Sequence, residues 1–182
     1  MIKSILVMAI LFSQVSCYSQ IFYTKSGKIS FYSKAPLEDI ESVNKTVDCI
    51  LNTNTGSIQF SALIKSFEFQ KALMQEHFNE NYLESNKYPR SNFKGTVINN
   101  SQIDYNKTGT HNVTVRGELT IHGITKTIEV NGTIKTGDDP ELEASFPVKL
   151  SDYSISIPSI VKDKVSNNVK VQVSAKLEPY KK

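Results

Sequence analysis

Apolar and polar residues alternate one by one along most of this chain. Ile29, Phe31, Ser33 and Ala35 alternate with Ser30, Tyr32 and Lys34, and Ile58, Phe60, Ala62 and Ile64 with Ser57, Gln59 and Ser61. The same rhythm runs through Val113, Val115, Gly117, Leu119 and Ile121, then through Ile128, Val130 and Ile134. It returns in Leu142, Ala144, Phe146, Val148 and Leu150, and last in Val169, Val171, Val173, Ala175 and Leu177. A period of two predicts strands with one apolar and one wetted face. Turn residues separate the runs at Asn52–Gly56, Asn106–Gly109, His122-Gly123 and Thr136–Pro140. Connections this short favour antiparallel neighbours. The chain is therefore all-β, with about eight strands that close as a sandwich or as a barrel.

One stretch breaks the rhythm. In Lys71–Gly95, Leu73, Met74, His77 and Phe78 fall on one face of a short helix, and Tyr82 extends that face by a turn. Pro89 stops the helix, and Phe93 resumes a strand pattern. The expectation is a helical plug over about residues 70–83, set into a β protein. Several predicted inward positions are small: Ser33, Ala35, Ala62, Gly117, Gly132, Ala144 and Ala175. That leans toward a cavity, because a barrel of about eight strands has room for packed side chains or for one small ligand.

Composition adds little beyond exclusions. The chain has 182 residues, 39% hydrophobic and 21% charged, with a net charge of +3. No basic run exceeds two residues, which argues against nucleic acid as a partner. The N-terminus reads as a secretory signal over residues 1–19, with Lys3 before an apolar run from Ile5 to Phe12 that is too short to span a bilayer. Residues 20–182 then form the single domain. Cleavage after Ser19 places Cys17 at the −3 position. In a second reading Cys17 follows Val15-Ser16 as a lipidated cysteine, although Gln14 stands where a lipobox prefers Leu. Membrane association rests on that lipidation alone. Cys49, left unpaired, reads as a small buried hydrophobe.

Candidate chemistry is sparse. Three histidines without short pairings make a metal site unexpected. There is no G-x-S-x-G elbow and no glycine-rich phosphate loop. His122, beside a turn, reads as exposed. Glu76, Glu80 and Glu84 recur at i+4 and read as a solvated stripe. Asn-x-Ser/Thr occurs at Asn44, Asn99, Asn106, Asn112 and Asn131, read here as Asn- and Thr-rich strand edges. His77 reads either as a donor to a ligand's polar head or as a helix residue bonded to a loop carbonyl. Phe67, Phe69, Phe93 and Tyr153 bracket the plug and the late strands, as an apolar wall or as core.

MQEHFNENYLESNKYP followed by FKG, together with GELTIHGITK at Gly117–Lys126, resembles the YceI-like family of bacterial secreted proteins. The resemblance runs from about Ile21 to the C-terminus. It implies a lipocalin-like antiparallel β-barrel holding a polyisoprenoid or similar long apolar lipid. The ligand would be a polyprenol, an isoprenoid quinone or a fatty-acyl chain, with no catalytic cofactor. Under that reading the lumen is lined by Phe31, Phe60, Leu119, Ile128, Phe146 and Val171, and the Leu73–Tyr82 plug closes one end. The location is periplasmic or secreted, and a homodimer is compatible. His77 matches an acidic/amide-x-His pattern of the family. The stretch Leu150-Ser151-Asp152-Tyr153-Ser154-Ile155 lacks both the basic residue and the glycine that the family carries there. The alternatives are a secreted lipid-directed hydrolase or isomerase with His77 as general base, and a ligand-free envelope module.

Overall fold

A computed structural model describes residues 21–34, 36, 39–159, 163 and 165–180. The signal segment, Cys17 and Ala35 lie outside the described residues. Ten strands form one antiparallel sheet: β1 (Ile21–Lys34), β2 (Asp39–Asn52), β3 (Ser57–Leu63), β4 (Glu68–Phe69), β5 (Arg90–Val97), β6 (Gly109–Ile121), β7 (Ile124–Thr136), β8 (Glu141–Lys149), β9 (Asn168–Lys176) and β10 (Glu178–Pro179). The order β1-β9-β8-β7-β6-β5-β3-β2 returns to β1 through a β1–β2 ladder, so eight strands close a barrel. The two-residue β4 and β10 pair outside that ring, on β2 and β1.

The period-two positions face inward as the alternation requires. Val113, Ile134 and Leu142 are buried, while their neighbours Lys135 and Glu141 reach out to pair across strands at 3.2 Å. On the outer wall Arg116 donates from Nε and Nη2 to Glu129 Oε2 at 2.9 and 2.7 Å. The β6–β7 hairpin turns on two residues with positive φ, His122 (50°) and Gly123 (75°). That geometry matches the twist of the flanking strands. Gly123 is needed for a second reason: a Cβ there would lie 2.5 Å from the Tyr88 ring.

One end of the barrel is sealed. The β5–β6 connection sends Ile103 and Tyr105 beneath the lumen, where they pack with Cys49, Leu51, Val97, Val113 and Ile134. Tyr105 Oη donates to Asn100 Oδ1 at 2.8 Å, and burial pushes its phenol up to about 12. The other end carries the β1–β2, β3–β5, β6–β7 and β8–β9 connections, and the helical segment lies in the β3–β5 connection.

β2 departs from simple alternation. Its inward positions are Ser42, Asn44, Val47, Cys49 and Leu51, all buried, with a shift of phase between Asn44 and Val47 opposite the irregularity at Gly27. Asn44 is 0% exposed, not a strand edge. Its Nδ2 donates to Leu63 O at 2.9 Å, and its Oδ1 accepts from Thr46 N at 2.8 Å. It bridges β2 to β3 where the ladder, which spans Asp48–Leu51, has ended.

Candidate functional site

The lumen is a cavity of about 340 Å³, and nearly all of its wall is hydrocarbon. Strands β1, β3 and β5 contribute Ile29, Phe31, Phe60 and Phe93. Strands β6 to β9 contribute Leu119, Ile128, Phe146 and Val171. Each of these is an inward member of its strand. Phe67 and Phe69 reach the cavity from the segment after β3, and Met74, His77 and Phe78 from the helix.

Two expected wall residues lie elsewhere. Leu73 is 61% exposed. It stands one residue from Met74, roughly 100° around a helix, so the face that docks carries Met74, Phe78 and Tyr82 and turns Leu73 to solvent. Tyr153 is buried but does not line the cavity. It packs behind the wall with Ile155, Leu119, Val148, Ile124 and Ile128.

The plug is α1 (Ala72–His77) continued without interruption by a π-helical turn, Phe78–Tyr82. The wider turn puts Leu83 N on Phe78 O at 2.9 Å and lets Phe78, Tyr82 and Leu83 all reach the barrel. Such turns cost helix geometry and recur at functional positions. Phe78 inserts among Phe31, Phe67 and Phe69, with ring centroids 5.5, 5.6 and 5.0 Å away. Glu76 and Glu80 are exposed, as a solvated stripe requires. Glu84 leaves that stripe.

Glu84 (φ 44°), His122 (φ 50°) and Ser154 (φ 54°) are the non-glycine residues with positive φ among those described. Glu84 and His122 meet, and Ser154 follows Tyr153, whose carbonyl is the other partner of His122. His122 Nε2 lies 2.7 Å from Glu84 Oε2, and Nδ1 lies 3.2 Å from Tyr153 O. The ring packs edge-on against Tyr88 at 4.6 Å. His122 is therefore not an exposed turn residue, since its side chain is 12% exposed. It clasps the C-terminal side of the plug to the β6–β7 hairpin and to the turn after β8. Local sequence carries no sign of this, because all three partners are distant in the chain.

The small inward residues divide. Phe93 lies flat over Gly95 and Gly117, where a Cβ would come within 2.6 and 2.7 Å of its ring, so that space is filled. Ala175 sits in a packed cluster. Ser33, Ala62, Gly132 and Ala144 do line the cavity. At Gly132 and Ala144 the β7–β8 ladder, which joins only Gly132–Lys135 to Glu141–Ala144, stops. Toward the plug the seam between these strands is packed by Tyr153 and Ile155 rather than by hydrogen bonds, and Pro147 there has no N–H to give.

Polar groups are few on the wall. His77 is exposed on its helix yet touches the cavity, so it stands at the mouth with Met74, near Ser33 and Ile40 of the β1–β2 hairpin and Val165 of the β8–β9 connection. Among the described residues it has no hydrogen-bond partner. Among the described residues no three His, Cys, Asp or Glu side chains could hold a metal ion. Cys49 is buried, and desolvation drives its thiol far above the usual range, which keeps it protonated.

A family model described as a YceI-like domain matches residues 13–177. The fold is shared with a polyisoprenoid binding domain from Saccharophagus degradans implicated in plant cell wall breakdown: TM-score 0.78, 14% identity, covering 89% of this chain and 99% of that one. It is shared also with Burkholderia cenocepacia BcnA, at TM-score 0.67 and 19% identity over 83% of this chain and 95% of that one. A Campylobacter jejuni YCEI protein aligns at TM-score 0.54 and 18% identity, covering 78% and 85%. No curated protein matches the chain.

Proposed function

The chain belongs to the YceI-like domain family, and from that membership we propose that it is a binding or carrier protein for a long apolar lipid, not an enzyme. The observation that carries the reading is the apolar lumen of about 340 Å³, sealed at one end and touched by His77 at the other. A polyprenol, an isoprenoid quinone or a fatty-acyl chain suits such a wall. Each buried methylene contributes roughly 0.8 kcal/mol, so binding needs neither charge nor covalent chemistry. The chain lies among Phe60, Phe93, Leu119, Phe146 and Val171, and the polar head stays at the mouth, where His77 donates to it. No cofactor takes part. The N-terminal signal pattern supports a periplasmic or secreted location, with membrane association only through a lipidated Cys17.

Native mass spectrometry of the protein purified from a bacterial periplasm tests the reading. An excess mass that extracts into organic solvent as a prenyl or acyl lipid supports it. A bare protein mass, with no uptake of added prenols or quinones, removes it.

A further inference from the structure

The volume and the two ends of the lumen together set a length for what it encloses; the argument rests on the lipid-binding reading above. An apolar protein cavity of roughly 150 Å³ accommodates one benzene, or roughly 25 Å³ per carbon. By that measure a lumen of about 340 Å³ encloses roughly 12 to 15 carbons. Neither end offers more room as built. Ile103 and Tyr105 close the far end within a packed cluster. At the plug end the space is already taken by the rings of Phe31, Phe67, Phe69 and Phe78, all within 5.8 Å of a neighbour in the group.

We infer that the barrel encloses one single apolar chain of roughly 12 to 15 carbons, about three isoprene units, and that a longer lipid leaves its remainder outside the mouth. A two-chain lipid does not fit. The cavity wall is nearly all hydrocarbon between the sealed end and the mouth, so affinity counts carbons until the space is full and then stops counting.

The test is a chain-length series on the full-length protein. The probes are 1-alkanols of about eight to about 22 carbons and prenols of about two to about eleven isoprene units, titrated by native mass spectrometry and by displacement of a fluorescent fatty acid. Within the lumen each added methylene tightens binding about fourfold. The expected series rises to roughly 12–15 carbons and then flattens or falls, gaining less than about twofold per further carbon pair. A steady rise through about 20 carbons overturns the length limit while leaving the lipid-binding reading intact. No binding by any probe overturns both. A second measurement uses Ala144→Phe, which places a ring in the lumen opposite Gly132. It moves the break down by roughly six carbons; a break that stays in place shows that the chain does not lie in this cavity.

Discussion

Phe78→Ala tests whether the plug is held by the lumen's aromatic cluster. No residue of the segment Ala72–Tyr82 is fully buried, and helices shorter than about 12 to 15 residues are marginal in isolation. Docking must therefore supply its stability. Phe78 touches Phe31, Phe67 and Phe69 at 5.5, 5.6 and 5.0 Å. Phe→Ala in a packed core costs about 3–5 kcal/mol. One side of Phe78 already faces the cavity, so the low end, about 3 kcal/mol, is expected. That loss falls first on the plug, not on the ladders of the barrel. Hydrogen exchange reads it directly. The amides of Leu83 and Ser85, bonded to Phe78 O and Asn79 O at 2.9 and 2.8 Å, should exchange about a hundredfold faster, while β6 and β7 amides keep their protection. If Leu83 and Ser85 exchange within about threefold of the parent rate, the aromatic cluster is not the anchor, and the Glu84–His122–Tyr153 clasp holds the plug alone.

Four further outcomes are expected. Asn44→Ala removes the side chain that bonds the half-buried Leu63 carbonyl and the Thr46 amide, and should lower stability by about 1–2 kcal/mol in urea titrations, with the m-value unchanged. Leu73→Ser should change stability by less than about 0.5 kcal/mol, since the side chain is 61% exposed. Cys49 sets an alkaline slope. Its folded thiol is raised by burial, so the stabilisation is complete below about pH 8.5, where the unfolded thiol is also protonated. Above that pH the unfolded chain alone gives up the proton, and stability should fall by up to about 1.4 kcal/mol per pH unit. Urea midpoints between about pH 8.5 and 9.5 measure this fall, and Cys49→Ala should abolish it. His77→Ala should leave stability unchanged and weaken a prenol by about tenfold relative to the hydrocarbon of equal length; equal weakening of both would remove His77 from the head-group role.

The sequence by itself determined which side of most strands faces inward. Alternation is a local property of an extended backbone, so Phe60, Leu119, Ile128, Phe146 and Val171 were legible as members of the apolar face without knowledge of their neighbours. The hairpin at His122-Gly123 was equally legible, because a two-residue turn with positive φ needs its glycine locally. β2 was harder to see. Ser42 and Asn44 are polar at inward positions, and the phase slips before Val47, so the pattern that marks a strand is interrupted where Asn44 bridges to Leu63.

Tertiary structure decided the rest. Periodicity states that Leu73 and Phe78 share a helix, but only the aromatic pocket of Phe31, Phe67 and Phe69 selects Phe78 as the residue that docks. A glycine in a strand reads as empty space until the ring that fills it is known, and Phe93 fills the space at Gly117 from another strand. His122 became a half-buried clasp through Glu84 and Tyr153, each more than thirty residues away. Barrel closure, the sealed end and the volume left inside all depend on which strands meet and which side chains interpenetrate. Those are non-local packing outcomes, and a pattern of period two carries no information about them.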